Sequence, residues 1–190
     1  MAMTLFSCRA GRLTLPEPGF ALVSREDGGN LVVWPARPVW ERSELTAAEL
    51  AGWSYLVAAV GHAMLTVLPQ LEGGCLNYWE AGNWALNDAA DPPGRKDPRR
   101  HRNVHLHLLG RSPTATAPTH RFGEAPVFPR FAERLTWSAG FGRLEPAECV
   151  AIVTETERRL REYYQVPAAD LSPWHPCPKC GYPIVGNAAS

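Results

Sequence analysis

The chain has no surplus of charge of either sign: 19 lysines and arginines balance 19 aspartates and glutamates. A protein without net charge has no global field to draw it onto nucleic acid or an anionic membrane, so neither is an expected partner. Long apolar runs are missing too. The nearest, LVAAVGHAML, is broken by Gly61 and His62, short of the roughly 20 apolar residues of a membrane span. The N-terminal MAMTLFSCRAGR has neither the charged start nor the long apolar centre of a secretory signal. Cysteines are few and odd in number, five in 190 residues. That favours free thiols or a metal site in a reducing compartment over a disulfide framework. The expectation is a soluble, cytoplasmic protein.

The hydrophobic share of 45% and charged share of 20% are ordinary for a globular chain. The length allows one domain with a real core and a small appendage. The boundaries expected are a main domain over 1–166, containing a long basic loop over 87–102, and a tail over 167–190. Eighteen prolines and sixteen glycines imply many loops, and there is no internal repeat.

GFALVSRE (19–26) and NLVVWPA (30–36) read as two strands, with Asp27, Gly28 and Gly29 as the turn between them. LTAAELAGWSYLVAAVGHAMLTVL reads as the main helix. Thr46 caps it, Glu49 completes a capping box, and Leu45 and Leu50 sit where a hydrophobic staple would be. Leu50, Trp53, Val57, Val60, Met64 and Val67 then keep the three-and-four spacing of a core-facing stripe, and Pro69 ends it. GCLNYWEAG (74–82) and residues 103–109 read as strands, and 110–143 as loop. A second helix opens near Glu145 and Pro146, with Cys149, Ile152, Val153, Leu160 and Tyr163 on its apolar side and Pro167 at its close. Short strands joined by loops and one long helix predict an α+β fold, an antiparallel sheet with helices on one face.

RRHRNVHLHLLGRSP (99–113) holds three of the six histidines. Side chains on a strand alternate between faces, so Val104, Leu106 and Leu108 point into a core while Asn103, His105 and His107 point the other way. Polar groups on one face of a buried strand are costly unless they meet partners or a ligand. Imidazoles there suit three jobs: nucleophile toward phosphorus, general acid near neutral pH, or metal ligand.

NVHLHLLGR resembles the signature strand of the histidine triad superfamily of nucleotide hydrolases and transferases, in which three histidines alternate with apolar residues. The upstream GGNLVVWPARPVWERSELTAAEL and CLNYWEAGN are similar to that family's glycine-rich turn, strand, helix opening and glycine-asparagine turn, as in bacterial members resembling dinucleoside tetraphosphate hydrolases. The match covers about residues 5–112. Asn103 stands at the first triad position and Asn30 at the family's turn histidine, and the loop before the strand is longer by over ten residues. The resemblance implies a sheet of about five strands with a long helix and a C-terminal helix, and a homodimer is among the assemblies it admits. It implies attack by His105 on an α-phosphate to give a nucleotidyl-histidine, with His107 bonding a phosphate oxygen or the leaving atom. Asn77, Asn83, Asn103, His101 and Arg111 would contact a mono- or dinucleoside polyphosphate or a nucleotide conjugate. No cofactor is needed for that chemistry.

Other readings stay open at this point. His105 and His107 could bind a catalytic metal with Glu80 or His101 as a third ligand. The chain could also be a non-catalytic nucleotide- or RNA-binding module. The insert carries Arg95, Lys96, Arg99, Arg100 and Arg102, either as a solvated loop or as a basic flap over an anionic leaving group. His101, within it, could stand in for the missing triad histidine. Trp34, Trp79 and Trp84 could stack on a base, and Phe122, Phe128, Phe131 and Trp137 could pack over the sheet. In the tail, HPCPKCGYP places Cys177 and Cys180 at the spacing of a zinc knuckle. His175, Cys8, Cys149 and His120 are candidates to complete a structural site.

Overall fold

The structure is a computed structural model and describes residues 2–17 and 19–186. Its centre is a five-stranded, wholly antiparallel sheet. In chain order the strands are β1 (Met3–Cys8), β2 (Gly11–Leu15), β3 (Asn30–Pro35), β4 (Cys75–Ala81) and β5 (His105–Arg111), arranged in space β1-β2-β3-β5-β4. Helices α1 (Ala47–Val67) and α4 (Pro146–Glu162) pack on one face. Between them in sequence lie two short helices, α2 (Pro98–His101) and α3 (Arg134–Ser138).

The strands expected over 30–36, 74–82 and 103–109 form within two residues of their expected limits. The strand expected over 19–26 does not form. Most of that segment is irregular, with a single 3-10 turn at Arg25–Asp27. The physical reason is topological: β3 has two edges, and β2 and β5 occupy both. What pairs with β2 is instead β1, at the N-terminus. That hairpin gave little signal, because a register shift between Thr4 and Phe6 breaks the two-residue alternation and its turn at Arg9–Ala10 lacks turn-specific residues. Gly28 and Gly29 serve a different purpose from the expected hairpin. Gly110 N–H donates to the Gly29 carbonyl at 2.9 Å, and a Cβ on Gly110 would collide with the Gly28 backbone. Glycine at both places lets this loop cross β5 in contact.

α1 starts as its sequence dictates. Thr46 Oγ1 accepts from Glu49 N–H at 3.3 Å, and Glu49 accepts from Thr46 N–H at 2.8 Å. Thr46→Ala is expected to lower stability by about 1 kcal/mol, read as a lower urea midpoint at unchanged slope; an unmoved midpoint would show that the cap is idle. By length and composition α1 is long and apolar enough to cross a membrane, contrary to the reading of its sequence as interrupted. In the fold it is the core helix. Trp53, Leu56, Val60 and Met64 are fully buried against Leu31 and Val33 of β3, Leu106 and Leu108 of β5, and Ile152 and Val153 of α4. α4 ends at Glu162, before Pro167, and Tyr163 is exposed rather than on the buried side.

The tail is docked. Arg9 N–H donates to the Asp170 carbonyl at 2.7 Å and Ser172 N–H to the Ser7 carbonyl at 3.0 Å, so the chain runs along the free edge of β1. A two-stranded ribbon, β6 (Trp174–Pro176) and β7 (Pro183–Val185), follows. Tyr182 Oη donates to the Leu144 carbonyl, and Trp174 Nε1 to Glu157.

Candidate active site

The face of the sheet opposite the helices is covered by irregular chain, and under that cover lies a cavity of about 710 Å³. That is the size class of small-molecule sites. Thr14, Val32 and Trp34 from β2 and β3, Trp79 from β4, and His105 and His107 from β5 form its floor. Alternation puts them there: Leu13, Leu31, Val33, Leu106 and Leu108 take the helix face, leaving their neighbours for the other. Phe20, Trp84 and Phe131 supply aromatic walls from the loops.

The two imidazoles lie side by side, ring centroids 5.1 Å apart. His105 stacks on Trp34 at 4.2 Å, and His107 meets Trp79 at 5.5 Å. His105 Nδ1 is 2.9 Å from the Asn103 carbonyl. A carbonyl only accepts, so Nδ1 carries the proton and Nε2 keeps the free lone pair. Burial holds the His105 imidazole below its ordinary range, helped by Arg102 and Arg12 and opposed by the Asn103 carbonyl. The neutral, nucleophilic form is thereby favoured.

His107 is buried, 7% exposed, and burial, with His105 adding, pushes its pKa down to about 3. It is a neutral ring at any working pH. Asn30 sets its tautomer. The Asn30 Oδ1 accepts from Leu22 N–H at 3.1 Å, which turns its Nδ2 toward His107 Nδ1, 3.4 Å away, and the Leu31 carbonyl. With Nδ1 accepting, the His107 proton sits on Nε2. Asn30 thus orients the second histidine, a role not anticipated from its sequence position.

The other expected site residues divide. His101, Asn83 and Asn103 line the cavity with the histidines. Asn83 Oδ1 accepts from Arg102 Nε at 3.0 Å, leaving its amide N–H groups for other partners. Asn77 shares the histidine face of the sheet but is exposed, beyond the buried apolar cluster of Leu22, Val23 and Leu109. Arg111 is buried at 3% exposure, and its Nη2 donates to the Arg121 and Glu124 carbonyls at 2.6 and 2.7 Å. It ties down the covering loop and is no part of the cavity lining, because alternation carries it past Leu109.

The basic insert does not close over the cavity as a flap of cations. Arg102 Nη1 donates to the Trp40 carbonyl and to Glu41 at 2.7 Å, Arg99 lies over the Trp40 ring, and Lys96 Nζ donates to the Asn87 and Gly94 carbonyls. None of its arginines lines the cavity. The insert contributes Ala89, Ala90, Asp91 and His101 instead. Sequence reasoning also missed Phe20 and Arg134. Arg134 lies over the Phe131 ring at 3.8 Å and donates from Nη1 to the Phe131 carbonyl.

Among the described residues no three His, Cys, Asp or Glu side chains come together as a metal-binding group. His105 and His107 therefore gain no third ligand from Glu80 or His101. The tail has the same shortfall. Cys8 and Cys149 are buried in the core, burial pushing Cys149 up to about 12, and His120 is buried under the covering loop. His175 Nδ1 donates to the Gly186 carbonyl. Only Cys177 and Cys180 adjoin, and the backbone N–H groups of Lys179 and Cys180, with the Cys180 thiol, hold the Cys177 thiol below its ordinary range.

No family model matches the chain, and no curated protein matches it. Two of the solved structures that align with it do so at low identity. A hypothetical histidine triad nucleotide-binding protein from Sulfolobus tokodaii strain7 covers 86% of this chain and 89% of its own length, at 13% identity and a TM-score of 0.46. An uncharacterized protein covers 99% of this chain and 89% of its own length, at 14% identity and a TM-score of 0.43.

Proposed function

We propose that this chain is a nucleotide hydrolase or nucleotidyltransferase of histidine triad type, acting at an α-phosphate through a covalent nucleotidyl-histidine on His105. The observation that carries this reading is the Asn103 carbonyl on His105 Nδ1, which leaves a lone pair on Nε2 inside an aromatic-walled cavity. A neutral imidazole nitrogen attacks phosphorus in line, the bond to the leaving group breaks, and water or another acceptor then takes the nucleotide from nitrogen. His107 Nε2–H donates to a non-bridging oxygen. The Asn83 and Asn103 amides add uncharged donors where charge develops. The base stacks against Trp34, Trp84, Phe20 or Phe131.

The lining also speaks to the leaving group. Glu17 and Asp91 stand on the cavity wall with Arg134 and with Glu80, which Arg42 and Arg102 pair, and no arginine of the insert lines it. Such a wall suits a nucleotide conjugate with a neutral or cationic leaving group better than a long polyphosphate. The test is a panel of adenosine and guanosine monophosphate conjugates carrying alkyl, aryl, amine and phosphate leaving groups. Monophosphate release is expected, together with a protein adduct heavier by one nucleotide after a quench without acid. Nucleotide binding with neither release nor adduct would overturn the proposal in favour of a non-catalytic module.

A further inference from the structure

Resting on the reading just given, we infer that His101 is the general acid that protonates the leaving group, and the base that activates water in the second step. The first step moves an electron pair from His105 Nε2 into a new N–P bond. The P–O bond to the leaving group breaks, its pair stays on that oxygen, and a proton must arrive there unless the leaving group is already stable as an anion. In the second step the same group takes a proton from the attacking water, the P–N bond breaks, and its pair returns to Nε2.

The protonatable groups on the cavity wall are few. Among the described residues it is lined by no Lys, Cys or Tyr. His105 is the nucleophile. His107 is held neutral by burial and donates through a proton it keeps. Arg134 is a guanidinium, which does not release its proton. Glu80 is paired with Arg42 at 2.6 Å and Arg102 at 3.8 Å. Glu17 and Asp91 are the other acidic side chains on the wall, and both come from irregular chain. His101 remains, and imidazole is the side chain suited to give and take a proton there.

Its position is firm. Asp97 caps α2, accepting from Arg99 N–H at 3.0 Å, and the His101 N–H donates to the Asp97 carbonyl at 3.2 Å. Arg102, the next residue, has an 11% exposed side chain bonded to Trp40, Glu41 and Asn83. Asn103 follows, its carbonyl on the nucleophile itself. The backbone of the half-buried His101 is thus held two residues before the group that bonds His105, and its side chain lines the same cavity.

The experiment compares two substrates of one nucleotide, an alkyl phosphodiester and a p-nitrophenyl phosphodiester, on wild type, His101→Gln and His101→Asn. The nitrophenolate leaves as an anion and the alkoxide does not. Both variants are expected to lose at least about tenfold more kcat/KM on the alkyl ester than on the nitrophenyl ester. Equal losses on the two esters, or none, would overturn the role of His101. Adduct formation from the nitrophenyl ester reports a folded site in each variant. Failure of the wild type to form that adduct would instead sink the covalent mechanism itself.

Discussion

His105→Gln is expected to release monophosphate at least about 10³-fold more slowly than wild type and to form no nucleotidyl adduct. Glutamine keeps a hydrogen-bonding side chain of similar reach but has no lone pair able to attack phosphorus. The change should barely touch the fold. His105 is half-buried, and its stack on Trp34 at 4.2 Å is worth about 0.5 to 1.5 kcal/mol beyond area burial. A 10³-fold loss of rate corresponds to about 4 kcal/mol of transition-state stabilisation. The two readouts therefore separate: turnover collapses while the urea midpoint moves little. Turnover surviving in a folded His105→Gln protein would remove the nucleophile and with it the covalent mechanism.

The floor of this site was legible in the sequence because it obeys a local rule. Two-residue alternation in NVHLHLL placed His105 and His107 on one face, and the same rule put Val32 and Trp34 on one face of β3. That Trp34 would stack on His105 was not legible. It depends on the register between β3 and β5, Val33 opposite Leu106, which is a contact between residues more than seventy apart. The roof was hidden for another reason. Phe20, Phe131 and Arg134 come from chain with no hydrophobic period, held by single bonds such as Trp137 Nε1 to the Leu22 carbonyl.

Parity alone also misleads. Asn77 has the same parity on β4 as Trp79, yet lies one pleat too far to reach the cavity. Arg111 has the parity of His107 and is buried two pleats away beneath the loop. The main helix was found through its capping box and its stripe, both local. The strand assigned to 19–26 failed because local pattern says nothing of whether an edge is free to receive it.

Between pH 7 and pH 5 the protein is expected to lose stability, and His107 is the largest single source. Its imidazole is pushed down to about 3 by burial in the fold, while the unfolded chain's imidazole titrates near 6.5, roughly. Above that value both states carry a neutral ring and pH has no effect through it. Below it the unfolded chain binds a proton that the folded chain refuses, so falling pH favours unfolding. The slope approaches about 1.4 kcal/mol per pH unit, giving roughly 2 kcal/mol between pH 7 and 5 and about 4 kcal/mol by pH 3, where the folded ring begins to bind the proton as well. His105 and His120 are shifted in the same direction, chiefly by burial, and add to the trend. His107→Gln isolates the effect, because it keeps those two rings. The variant should be less stable at pH 7, having lost packing against Trp79 and the Asn30 bond. Its stability should nevertheless fall about 2 kcal/mol less than wild type on going to pH 5, measured by urea unfolding at each pH. Parallel pH profiles for the two proteins would mean that the ring at position 107 accepts a proton in the folded state, and a neutral donor to the phosphate oxygen would then be lost from the site.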